Sequence, residues 1–152
     1  LYALKENEGV IQITAFANYV KVNNNRFNSI ISLGNKVAKL YGDDNFNPSL
    51  HSNKREYLEG IENINMKFPM PDIDDFIDHI DYVVKLIGID YVGISSDFGG
   101  GGGISGWIDA SETKLLTHKL KERGYSPKEI EKIWGGNILR VWKRVEDIAS
   151  NT

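Results

Sequence analysis

Cysteine is absent from the 152 residues, which excludes disulfides and thiolate chemistry and leaves the compartment unindicated. Proline occurs only four times and methionine twice, so hard breakers are few and stand out where they occur. No apolar run approaches the length that spans a bilayer, and no signal peptide is legible. Positive charge is not in excess either, since the formal net charge is −3. Nucleic acid is therefore not expected as a partner, because phosphate binding needs a basic face. The densest basic cluster, Lys119, Lys121 and Arg123, closes a helical pattern and reads as a solvated last turn meeting the helix dipole. Histidine is scarce, at three residues, and forms no H-x-H or H-E-x-x-H arrangement. By its own residues the chain is not expected to assemble a closed metal site.

What is present centres on a strand that ends in a carboxylate. Tyr91-Val92-Gly93-Ile94-Ser95-Ser96-Asp97-Phe98 runs directly into five glycines, Gly99 to Gly103. In parallel α/β proteins the carboxyl ends of strands carry the reacting side chains, which makes Asp97 the first candidate. Upstream, Ile73, Phe76, Ile77, Ile80, Val83, Val84 and Ile87 recur at helical spacing until Gly88 stops the run. Helix, Gly-Ile-Asp turn, strand and terminal Asp make half of a βαβ unit.

Elsewhere the pattern is mostly helical. Residues 1–7 read as a helical stub, and Val10 to Phe16 as a buried strand followed by Asn18 and Tyr19. Helices are predicted over 26–41 and 54–64, with a polar loop from 42 to 53 and a linker at Pro69 and Pro71. Asp72 is placed to cap the strong helix. A further helix is expected over 111–123. Ser126-Pro127-Lys128-Glu129 is a start signal for a helix that stops at Gly135-Gly136. The last helix places Ile138, Val141, Trp142, Val145 and Ile148 on one face. Two strands with long crossovers imply parallel pairing. Two alone cannot bury both faces, so a chain that begins in mid-fold is expected, with the rest of the sheet outside it.

The candidate groups each have a plain alternative. Gly101-Gly102-Gly103-Ile104-Ser105-Gly106 matches the G-x-G-x-x-G dinucleotide fingerprint. With so many glycines the match is nearly automatic, and Trp107-Ile108-Asp109 intervenes before any helix. A mobile active-site loop is the plainer reading. Asp97 either caps the following turn, pairs with a basic side chain, or works on a proton or a metal-bound water. His79 sits beside Asp78, yet adjacent helical residues diverge and cannot face one ion. A partly buried helix position accounts for it. Trp107, Trp134 and Trp142 read as packing residues, with Trp107 able to line a pocket.

Asp78 through Phe98 resembles the C-terminal region of membrane (renal-type) dipeptidases, zinc peptidases of the amidohydrolase superfamily. The stretches Arg123 to Ser126 and Gly135 to Val141 are similar to the same family's tail, and Gly9 to Tyr19 to its penultimate barrel strand. The resemblance implies an α/β fold, the C-terminal part of a (β/α)8 TIM barrel, with this chain supplying the last two strands and the terminal helices. Residues 1–152 would be one part of a single hydrolase domain, and 21–71 a helical insertion between the two strands. It implies a metallodipeptidase that is active only with an N-terminal portion of the same barrel, dipeptide as substrate, and possible homodimers. Two Zn ions would be held by an early His-x-Asp pair, a bridging glutamate and two later histidines outside this chain. Asp97 matches the family's strand-eight aspartate, which contacts the metal-bridging water and moves a proton. Phe16 and Tyr19 would line the substrate pocket. One departure is visible: the family reads Asp-Phe-Asp-Gly where this chain has Asp97-Phe98-Gly99-Gly100.

Overall fold

The computed structural model describes residues 1–150, and the chain divides into two compact units. One unit comprises Leu1–Lys21 together with the chain from Pro71 onward; the other is Val22–Met70.

In the first unit, α1 (Tyr2–Glu6), β1 (Ile11–Thr14) and the single turn α2 (Ala17–Val20) precede α6 (Ile73–Ile87) and β2 (Val92–Ser95). Helices α7 (Thr113–Glu122), α8 (Pro127–Glu131) and α9 (Asn137–Ser150) follow. The strands pair in parallel, Ile11 with Val92 through Thr14 with Ser95. The sequence pattern therefore gives an α/β unit that is mostly helical with a small parallel sheet.

Its core is built on α6. Asp72 accepts from the Asp75 backbone N–H while the Asp75 carboxylate accepts from the Asp72 N–H, a reciprocal cap that satisfies two donors at the helix start. The periodicity then buries Ile73, Phe76, Ile77, Ile80, Val83 and Ile87, each contributing about 1.5–3 kcal/mol; Val84 is only partly buried. Gly88, at φ 107°, ends the helix in a conformation that L side chains disfavour. Against this face pack Val92, Leu116, Leu120, Ile130 and Ile133.

Pairing gives the sheet two distinct faces. Ile11, Ile13, Val92 and Ile94 belong to the helix-packed core. Gln12, Thr14, Gly93 and Ser95 occupy the opposite face by alternation. There the Gln12 amide lies across Gly93, so close that any Cβ at 93 would meet Oε1 at 2.2 Å.

Three expectations in this unit change. Gly135-Gly136 does not stop the helix from Ser126: Lys132–Gly136 forms a π turn that carries straight into α9. The apolar stripe of α9 is not core, because Trp142, Val145 and Ile148 are each 60% or more exposed. Lys119 and Arg123 do not merely face solvent. Arg123 bonds Asp74, Asp78 and Asp81, and Lys119 pairs with Asp74, because α6 aligns its acids at helical spacing beside the end of α7.

In the second unit, α3 (Asn24–Leu40) packs on α5 (Arg55–Lys67), with Asn23 capping α3. Gly60 admits the Leu33 side chain, which would lie 2.4 Å from a Cβ there. The stretch from 42 to 53 is not wholly loop. It contains the turn α4 (Pro48–His51), and His51 is fully buried. Its Nδ1 accepts from the Asn47 N–H at 2.8 Å, which leaves Nε2 as the donor to Asp43.

Candidate functional site

The carboxyl ends of β1 and β2 lie side by side. Phe16 and Asp97 each stand two residues beyond the paired Thr14 and Ser95, so register alone brings the two predicted residues to one rim. Asp97 adopts φ 55°, a left-handed conformation that Asp tolerates better than most residues. The turn after it is closed by backbone: the Asp97 carbonyl accepts from the Gly100 and Gly102 N–H groups at 3.1 and 3.0 Å. Its side chain is therefore not spent as a cap. The residue is exposed, and among the described residues its carboxylate has no hydrogen-bond or ion-pair partner. Of the readings open to Asp97, capping and internal pairing are thus not used, and the carboxylate is available to a ligand.

The glycine run is not a free loop. Gly103 N–H donates to the Ala15 carbonyl at 2.7 Å, tying the loop to the end of β1, and Ser105 N–H donates to the Pro71 carbonyl at 2.9 Å. Ile104 and Trp107 exchange backbone bonds and are both buried. Close approach explains the composition best at Gly102, where a Cβ would stand 2.3 Å from the Ser96 carbonyl oxygen. The dinucleotide fingerprint finds no helix N-terminus directly after Gly106, because a 3-10 turn begins only at Ala110 and the next α-helix at Thr113.

Phe16 and Tyr19 come together, with ring centroids 4.6 Å apart. The Phe16 ring edge also reaches the glycine loop, 3.5 Å from where a Cβ of Gly101 would stand. Tyr19 is 71% exposed and presents its ring beside Phe16 at the rim. Trp107 is a packing residue: it is 2% exposed, sits among Phe76, Phe98 and Trp134, and donates Nε1–H to Thr113. Trp134 behaves as the packing residue expected, with its Nε1–H on Thr117. Trp142, by contrast, lies outside the core at 63% exposure.

Among the described residues no group of three or more histidines, aspartates or glutamates is placed to hold a metal ion. His79-Ile80-Asp81 has His-x-Asp spacing in the sequence, but helix α6 sends the two side chains apart. His79 Nε2–H donates to the Val20 carbonyl, while Asp81 accepts from Arg123 and the Tyr125 hydroxyl. Among the described residues, then, the side chains do not by themselves fit a metal. Sequence reasoning missed the two ties from α2 to α6, Val20 to His79 and Lys21 to Asp75. Partners 59 and 54 residues apart leave no local signal.

Known proteins answer to this arrangement. A family model described as membrane dipeptidase (peptidase family M19) matches residues 1–152. Dipeptidase ataJ of Aspergillus terreus (strain NIH 2624 / FGSC A1156) is 50% identical over 74 residues, covering 48% of this chain and 18% of that protein. Dipeptidase tcpJ of Claviceps purpurea (strain 20.1) is 35% identical over 80 residues, covering 52% and 19%. Among solved structures, the probable dipeptidase PvdM from Pseudomonas aeruginosa matches with a TM-score of 0.64 at 33% identity, over 93% of this chain and 38% of that one. The alignments thus span 18–19% of the curated relatives. No helix among the described residues is long and apolar enough to cross a membrane. A match that runs the full length of the chain decides the matter: this chain belongs to the membrane dipeptidase family.

Proposed function

We propose that this chain is the C-terminal part of a zinc-dependent dipeptidase, and that β1 and β2 are the last two strands of a (β/α)8 barrel. The observation that carries the reading is Asp97: an exposed carboxylate, unpartnered among the described residues, at the carboxyl end of a parallel strand, in a chain of dipeptidase family membership. In barrel enzymes that end of the strands holds the reacting groups. The two-faced sheet supports the same architecture, since the face bearing Gln12, Thr14, Gly93 and Ser95 would be the barrel interior. Residues 21–71 would then be a helical insertion between the barrel strands.

The rest of the protein would hold the two zinc ions, which when bound supply an activated water and a polarised carbonyl. Asp97 takes a proton at its carboxylate oxygen and passes it to the leaving amine, a general acid–base role. Phe16 and Tyr19 form an aromatic wall for a substrate side chain. A second reading, a non-catalytic relative or a binding and assembly piece, draws on Gly99, which stands where the family pattern has a second aspartate. One experiment separates them. The complete protein is assayed for bound zinc and for hydrolysis of dipeptides before and after chelation. Hydrolysis that is lost with the metal and restored by zinc supports the enzyme; a protein with neither metal nor turnover overturns it.

A further inference from the structure

Helix α2 carries Tyr19 and follows directly on Phe16, yet it has little to hold it in place. It is one turn of four residues, its first residue lacks a side-chain cap, and Lys21 leaves it in extended conformation. Isolated turns of this length are not stable alone, and the last carbonyls of any helix lack intrahelical partners. The Val20 carbonyl is one of these, and His79 Nε2–H donates to it at 2.9 Å. The next residue, Lys21, places Nζ 2.9 Å from Asp75 Oδ1. Asp75 and His79 are four residues apart and so share one face of α6, the most deeply packed helix of the unit. Val20 itself is buried in the same core.

We propose that His79, aided by Asp75, is a positioning residue that clamps α2 to α6 and so fixes the Phe16–Tyr19 wall against the loop that follows Asp97. This rests on the dipeptidase reading above and assigns specificity within it. His79 has the larger share. The Lys21–Asp75 pair is mostly solvated, with Lys21 66% exposed, and exposed pairs contribute little. The His79 bond instead grips backbone. A neutral ring protonated at Nε2 and an imidazolium both donate there, so the clamp does not require a charge. Asp75 is a poor place to test the idea, because its carboxylate also caps α6.

The test uses the complete protein with His79→Ala and His79→Gln, since a glutamine amide can replace the Nε2 donor. Amide hydrogen exchange reads the clamp at Tyr19, Val20 and Lys21, whose N–H groups bond Phe16 and Ala17 carbonyls. In His79→Ala these three should exchange about fivefold to tenfold faster, the scale of one hydrogen bond, with exchange in α6 unchanged. KM for dipeptides with aromatic side chains should rise by a similar factor, with kcat within about twofold and zinc content constant. His79→Gln should recover most of both effects. Unchanged exchange in His79→Ala overturns the clamp. Faster exchange with unaltered KM overturns the substrate wall. A variant that loses zinc and kcat together, with His79→Gln no better, shows general destabilisation and also overturns it. A wild-type protein that hydrolyses no dipeptide instead overturns the proposed activity and its wall, while exchange still reads the clamp by itself.

Discussion

At the scale of single residues, Asp97 is set apart by what its neighbours do. Its carbonyl closes the turn, which frees its carboxylate, and the glycines that follow allow the chain to fold back over it. Replacing Asp97 with Asn in the complete protein keeps the shape and removes the proton acceptor proposed above. Dipeptide turnover should fall about a hundredfold or more, the scale of a lost acid–base group, as read from kcat with zinc content unchanged. Gly102→Ala tests the fold-back. Its Cβ would meet the Ser96 carbonyl at 2.3 Å and Asp97 Cβ at 2.7 Å, so stability should drop by about 1–3 kcal/mol in thermal melts. Activity should fall with it. Gly135→Ala is the control, because nothing lies within 4 Å of a Cβ there. The placing of Asp97 at a strand end before the glycines was legible in the sequence. Their tie to Ala15 was not, because a free loop and a pinned one have the same composition.

Between elements, a few side chains reach across to backbone. Asn137, 2% exposed, donates Nδ2–H to the Ile89 and Val92 carbonyls at 2.7 and 2.8 Å, joining the start of α9 to the turn before β2. Asn137→Ala strands both acceptors and should cost about 1–3 kcal/mol for an unsatisfied buried group, measured by denaturant midpoint with the slope unchanged. Beside it in function is the acidic face of α6. Hydrogen bonds from Lys119 and then Arg123 hold the Asp74 carboxyl below its ordinary value of 3.8. Burial, then the bond to Asp81, pushes the Tyr125 hydroxyl above its ordinary value of 10.0. The two signs are opposite. A depressed carboxyl stabilises above its unfolded value and loses that contribution as pH falls through the lower folded value. A raised hydroxyl stabilises below 10.0 and loses that contribution as pH rises through the folded value. Melting temperature against pH should therefore fall at both ends, below about 4 and above about 10. Salt should blunt the acid limb more, because Asp74 is largely solvated. Both caps, Asp72 on α6 and Ser126 on α8, were readable, since a cap is a local rule spanning three residues.

For the molecule as a whole, β1 and β2 each pair on one side only among the described residues, and α9 keeps an apolar stripe in solvent. Unpaired strand edges and uncovered apolar surface favour association. The 152-residue chain produced alone should sediment above its monomer mass of 17.1 kDa and hydrolyse no dipeptide with zinc added. Hydrolysis by that isolated chain would contradict the assignment of its metal ligands to other sequence.

The amino-acid order by itself determined the elements and their inward faces: the period of α6, the caps, the Gly88 stop and the carboxylate at the end of β2. These follow from rules that act within a turn or two of chain. Tertiary structure alone decided which partner each exposed group met: that Arg123 finds three aspartates of α6, that His79 holds Val20, that Gly103 ties to β1. It also decided that the α9 stripe and Trp142 stay in solvent while His51 is enclosed. Periodicity marks an apolar face, but only the arrival of a second surface, distant in the chain, can bury it.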